Sequence, residues 1–103
     1  MNGDRLTRVL AERVMGWTAA PDRFLMADRK WKPRWRFQPL TELSDAFSVL
    51  DKVKGRYTLT GGEGRLFKAC VQIGKRRGMA STESKAKSIT LAIAAALGIE
   101  EQP

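Results

Sequence analysis

Arg56-Tyr57-Thr58-Leu59-Thr60-Gly61-Gly62-Glu63-Gly64-Arg65-Leu66-Phe67-Lys68-Ala69-Cys70-Val71-Gln72-Ile73 reads as two extended arms around a glycine-rich centre. The arms, Arg56–Thr60 and Leu66–Ile73, alternate in character. In the second, Phe67, Ala69, Val71 and Ile73 fall on one face, and Leu66, Lys68, Cys70 and Gln72 on the other. Gly61-Gly62-Glu63-Gly64 supplies a turn in which positive φ angles cost little, so the spacing predicts a β-hairpin. Lys75-Arg76-Arg77, bounded by Gly74 and Gly78, reads as the next turn, with a short strand at Met79–Ser81 after it. Consecutive strands joined by short turns must run antiparallel.

Helical patterns flank this unit. Lys85–Leu97 carries Ile89, Ala92, Ile93, Ala96 and Leu97 at helical spacing, with Ser84 as a cap and Gly98-Ile99 fitting a left-handed stop with its trailing apolar contact. Upstream, Pro39-Leu40-Thr41 places a capping hydroxyl before a stripe of Leu43, Ala46, Phe47, Leu50 and Val53, which Gly55 ends. Residues 4–15 form a first helix, with Leu6, Val9, Leu10, Val14 and Trp17 inward, Asn2 or Asp4 as cap and Gly16 as stop. Between the first two helices, Phe24-Leu25-Met26 and Lys32–Phe37 are plausible short strands, and Pro33 confines the second to an edge or a strand start. The order is α-(β)-α-β-β-β-α. It predicts an α+β fold, a small antiparallel sheet of three to four strands packed with three helices, in a single domain over residues 1–103.

The charge is lopsided. Nineteen Lys and Arg against 11 Asp and Glu give a net charge of +8 and a pI near 10.3, which attracts anionic partners such as nucleic acid, nucleotides or acidic protein faces. The positive charge is densest at Arg29-Lys30-Trp31-Lys32-Pro33-Arg34-Trp35-Arg36-Phe37, where five basic residues alternate with Trp, Pro, Trp and Phe and no acid intervenes. Cations beside aromatics are what a surface needs to neutralise phosphates and stack on bases. An extended chain would, however, send Trp31, Pro33, Trp35 and Phe37 to one side and Lys30, Lys32, Arg34 and Arg36 to the other. The aromatics' preference for interiors favours a buried aromatic row behind a solvated basic face.

Catalysis finds little support. With no histidine, Ser-His and Cys-His nucleophile pairs and imidazole metal sites are excluded. Cys70, mid-strand, reads as an inert thiol, and Ser84-Lys85-Ala86-Lys87 reads as a helix cap despite its S-x-x-K spacing. The glycine-bounded loops lack P-loop spacing, and the carboxylates show no paired arrangement. We expect a non-enzymatic protein without cofactor or metal. The lone cysteine, the lack of a leader pattern and the short apolar run Leu91–Leu97 predict a cytoplasmic protein with no membrane partner.

Several strings resemble the phage ABA-sandwich family of small α-β-α phage and prophage proteins. They are Leu10-Ala11-Glu12-Arg13-Val14-Met15-Gly16-Trp17 closing the first helix, Trp35 with Pro39-Leu40-Thr41 and Asp45-Ala46 around the second, and Ala92 to Gly98 closing the third. The resemblance implies a viral or prophage origin and the cytoplasm of a host bacterium as the setting. It lends no catalytic residues, and the basic stretch is particular to this chain. Combined with size and charge, it points to a binding protein that interferes with host nucleic-acid-handling or defence machinery, as an anti-CRISPR or other counter-defence inhibitor does. Its partner would be a host protein or ribonucleoprotein complex. Two alternatives stay open: direct binding of nucleic acid or a nucleotide signal, and a phage structural or assembly protein that forms a homo-oligomer. The expected contact residues are Arg29, Lys30, Trp31, Lys32, Arg34, Trp35 and Arg36, with Lys75, Arg76 and Arg77 as a second contact converging on the same sheet edge.

Overall fold

The computed structural model describes residues 2–61, 64 and 66–99, apart from the side chains of residues 2–4. Gly62 and Glu63 of the hairpin turn therefore lie outside the described residues, whereas Asn2 and Asp4, expected as caps of a helix over 4–15, are already helical, in a helix that ends at Arg13. The element order is α1 (Asn2–Arg13), β1 (Thr18–Ala19), β2 (Arg23–Leu25), β3 (Trp31–Pro33), a 3₁₀ turn (Arg34–Arg36), α2 (Leu43–Val53), β4 (Arg56–Gly61), β5 (Phe67–Ile73), β6 (Arg76–Thr82) and α3 (Lys85–Leu97). The expected α+β class and order hold. The strands form two separate antiparallel sheets, β1-β2-β3 and β4-β5-β6.

The larger sheet has two unlike faces. Register pairs Tyr57 with Val71 and Gly78, and Leu59 with Ala69 and Ala80, so these residues share the face that α3 covers. The opposite face carries the cross-strand rows Arg56–Gln72–Arg77, Thr58–Cys70–Met79 and Thr60–Lys68–Ser81. All nine are exposed except Cys70, which is half-buried. The predicted hairpin is correct, but the turn after it is tighter than expected. Gly74, at φ 61°, and Lys75 alone make it, because Ile73 pairs with Arg76 and Gln72 with Arg77. Arg76 and Arg77 are thus strand residues on opposite faces, and β6 extends beyond the expected Met79–Ser81.

Helix α3 is buried on nearly every side, as a helix between two layers must be. Toward the larger sheet, Gly78 lets the two backbones approach closely at Ala92 and Ala96. On the same side the Ser88 hydroxyl donates to the Phe67 carbonyl at 2.7 Å and accepts from the Thr82 amide at 3.0 Å, tying the helix to two strands. Thr90, about 200° further round, donates from Oγ1 to the Pro39 carbonyl at 2.6 Å. The segment leading into α2 therefore lies across α3 from the sheet. The ends of α3 are as the sequence predicts: Ser84 accepts from the Lys87 amide, and Gly98 is left-handed with Ile99 bonded back to Ala94.

Helix α2 departs from expectation at both ends. Glu42, not Thr41, occupies the N-cap and makes no side-chain cap bond, because the Thr41 hydroxyl donates to the Gln38 carbonyl. Asp45 in the first turn reaches back instead and accepts from the Gln38 amide at 2.8 Å. The helix starts one residue later than expected, with Leu43 exposed and Val49 in the core. At the other end Lys54, not Gly55, takes the left-handed conformation, with φ 55°. At Gly55 a Cβ would lie 3.0–3.4 Å from the Leu50, Val71 and Ile73 side chains, so glycine is the roomiest fit there.

Candidate partner-binding surface

The small sheet rests on an aromatic cluster. Phe24 and Phe37 are fully buried and meet edge to face at 5.8 Å between centroids, and Trp17 packs against both, tilted to Phe24 at 5.9 Å and edge to face with Phe37 at 4.9 Å. Each such pair is worth about 0.5–1.5 kcal/mol beyond the area it buries. This cluster fixes where the basic stretch can go. Register pairs Phe24 with Lys32, so Lys32 points down onto the cluster, and its ammonium sits 5.4 Å from the Trp17 centroid. Leu25 pairs with Trp31, so Trp31 points outward, beneath the Arg23 guanidinium at 4.7 Å.

The expected strand over residues 32–37 therefore holds for two positions only. After Pro33, which does occupy an edge strand, the chain turns through the 3₁₀ segment and the alternation ends. Phe37 is buried as expected, whereas Trp31 is 50% and Trp35 71% exposed, so the buried aromatic row does not form. Nor is there a uniform basic face. The Arg34 guanidinium donates to the carbonyls of Ala20 and, more weakly, Pro21, and covers the Phe24 ring at 5.1 Å. Arg34 and Lys32, both half-buried, hold the small sheet to its cluster. Arg29, at φ 66°, and Lys30 stand exposed at the β2–β3 loop, shaped by an Asp28 carboxylate that accepts from the Lys30 amide.

Trp35 and Arg36 form one wall of a cleft of about 400 Å³ whose other side is the start of α2. Gln38, Thr41, Glu42, Ser44 and Asp45 complete its lining. Arg36 lies beside the Trp35 ring at 5.6 Å, and Glu42 is exposed. The cleft thus offers an exposed indole, a guanidinium, a carboxylate that is not engaged as a cap, an amide and hydroxyls. Such a mixture suits a polypeptide, whereas carboxylates in the lining oppose phosphate. Sequence reasoning missed Gln38, Glu42, Ser44 and Asp45. The sign available was a Trp-Arg pair only six residues from Glu42, across a Pro that stops continuous secondary structure.

The fold has a solved counterpart. A phage protein from Bacillus cereus ATCC 14579, with a crystal structure at 2.0 Å, matches with a TM-score of 0.77 over 99% of this chain and 93% of its own, at 17% identity. At that identity the likeness establishes the fold alone. No family model matches the chain, and no curated protein matches it in sequence.

The second expected contact does not join this surface. Arg76 donates to the Leu97 carbonyl at 3.2 Å and so caps the C-terminus of α3, while Arg77 faces the open side of the larger sheet. Lys75 is exposed in the turn between them. Thr90, beneath Pro39, lies about 10 Å along α3 from Leu97 at 1.5 Å per residue. The two basic segments expected to converge on one sheet edge belong to different sheets. Among the described residues, no three Cys, Asp or Glu side chains converge as a metal site requires, and no helix is long and apolar enough to cross a membrane.

Proposed function

We propose that this chain is a non-catalytic phage or prophage protein, of the ABA-sandwich kind its sequence resembles, that captures a host protein through Trp31, Trp35, Arg36 and the adjoining cleft. The observation that carries the reading is Trp35, 71% exposed at the lip of a cleft that holds both charge signs. Leaving a tryptophan in water is unfavourable unless a partner covers it, and Trp and Arg dominate the energetics of protein interfaces. Support for a phage source comes from the phage protein that shares the fold. A small basic phage protein of this type fits a counter-defence role, in which it occupies a working surface of host nucleic-acid-handling machinery.

The reading is tested by affinity capture from a bacterial lysate with and without nuclease. The same host protein is expected in both eluates, because the cleft addresses polypeptide. Loss of that protein on nuclease treatment would instead make nucleic acid the ligand of this surface.

A further inference from the structure

The open face of the larger sheet lies on the far side of α3 from the tryptophan surface, and its chemistry is different. Among the described residues its three rows carry three exposed cations, Arg56, Lys68 and Arg77, one exposed apolar side chain, Met79, and neither an acidic residue nor an aromatic one. The only salt bridge among the described residues is Arg23–Asp22, so none of the three is neutralised by a described carboxylate. Between the cations stand uncharged hydrogen-bonding groups, Thr58, Gln72 and Ser81 among them. Arg56, Gln72 and Arg77 form one row across the strands, and with Tyr57, Thr58 and Cys70 they line a shallow depression of about 250 Å³; the Tyr57 ring itself packs edge to face against Phe47 at 5.4 Å.

We propose that this face binds the sugar-phosphate backbone of double-stranded nucleic acid without reading its sequence. Arg56 and Arg77 stand two strand spacings apart, about 10 Å, and Lys68 is four residues along β5 from Gln72, about 13 Å. Such a triangle spans several phosphates, given one charge per about 1.7 Å of duplex axis. Positive charge, hydroxyls and an amide are the groups that contact phosphate and sugar. Tyr57, the one aromatic at the margin of the depression, belongs to the other face and has its ring against Phe47, so the three rows offer no aromatic platform to unpaired bases, which favours duplex over single strand. An acidic protein would also be attracted, but Met79 is the one large exposed apolar side chain in these rows, too small a centre to hold one.

The test is fluorescence anisotropy of a short labelled DNA duplex of mixed sequence, titrated with the full chain at several salt concentrations. Net charge alone would draw any duplex to this protein, so two charge-matched triple variants are compared. One is Arg56→Gln/Lys68→Gln/Arg77→Gln; the other is Arg5→Gln/Arg8→Gln/Arg13→Gln on the exposed side of α1. Three phosphate contacts predict a slope of log affinity against log salt near about −3. The sheet variant is expected to lose at least about tenfold in affinity at 50 mM salt and most of that slope, and the α1 variant to keep both. Unchanged melting curves confirm that both variants fold. Equal losses in the two variants, unaltered binding by the sheet variant, or no duplex binding by the unmodified chain would each overturn the proposal. Because Trp31 and Trp35 take no part, Trp31→Ala/Trp35→Ala should bind duplex normally even where protein capture fails.

Discussion

Gly78→Ala is expected to cost about 3 kcal/mol or more of folding stability, at the top of the usual range for overpacking a core. A Cβ at this position would overlap the Ala92 carbonyl oxygen and come within 2.5 Å of the Ala96 amide nitrogen and 2.9 Å of the Ala95 Cβ. The first two are backbone atoms of α3, which no rotamer change can move aside. Relief requires lifting the central helix from the sheet, and that would disturb the Ser88 bonds to Phe67 and Thr82. A domain of this size loses about 4–8 °C per kcal/mol, so thermal melting should fall by well over ten degrees. Gly55→Ala is the comparison. Its nearest obstacles are the ends of the Leu50, Val71 and Ile73 side chains, at 3.0–3.4 Å, and these can shift. A Gly78→Ala chain as stable as the Gly55→Ala chain would show that α3 does not cross the sheet at this point.

Trp35→Ala combined with Arg36→Glu is expected to weaken capture of the host partner at least about a hundredfold, since hot-spot truncations cost 2 kcal/mol or more each. Melting temperature should stay within a degree or two, because both side chains are exposed and neither contributes a bond to the core. Arg34→Glu provides the contrast. Its guanidinium fastens the small sheet to Ala20 and covers Phe24, and a carboxylate there would face a ring and a carbonyl. That change should lower stability by about 1–3 kcal/mol, so any loss of capture would follow from damage to the fold. The check is a binding titration alongside thermal melting for all three chains. Undiminished capture by the Trp35/Arg36 variant would remove the cleft from the interface.

Much of the fold is legible in the sequence where local and long-range cues agree. In β5, alternation puts Ala69 and Val71 inward, and in α3 Ser84 and Gly98 mark the ends; the structure follows each of these. Legibility fails where a side chain serves a distant partner. Thr41 has the chemistry of a cap, but its hydroxyl bonds to Gln38, and Asp45 takes over the work of fastening the incoming chain. The stretch from Lys30 to Phe37 shows strict period-two alternation, yet Pro33 leads into a 3₁₀ turn that rotates Trp35 out while Phe37 joins Trp17 and Phe24. Composition could show that aromatics and cations were interleaved. Which of them would be held down depended on Phe24, Trp17 and the carbonyls of residues 20 and 21, none of which the pattern contains.

The two faces on either side of α3 differ in chemistry in a way that the net charge conceals. The tryptophan surface has mixed charge and a cleft, whereas the described sheet face has cations and hydrogen-bonding groups around Cys70 and an exposed Met79, with no acid. Under the proposed function, the first would grip a host protein and the second would keep it near duplex nucleic acid.

The most direct test of the central claim is iodide quenching of tryptophan fluorescence, with the chain free and then bound to its captured partner. Trp31 and Trp35 outnumber the half-buried Trp17, so the free chain should emit at long wavelength and be quenched strongly by an anion that its cations attract. Partner binding should shift the emission to shorter wavelength and shield most of the quenchable fraction. Emission at short wavelength that resists iodide in the free chain, or quenching unchanged in the complex, would contradict the account.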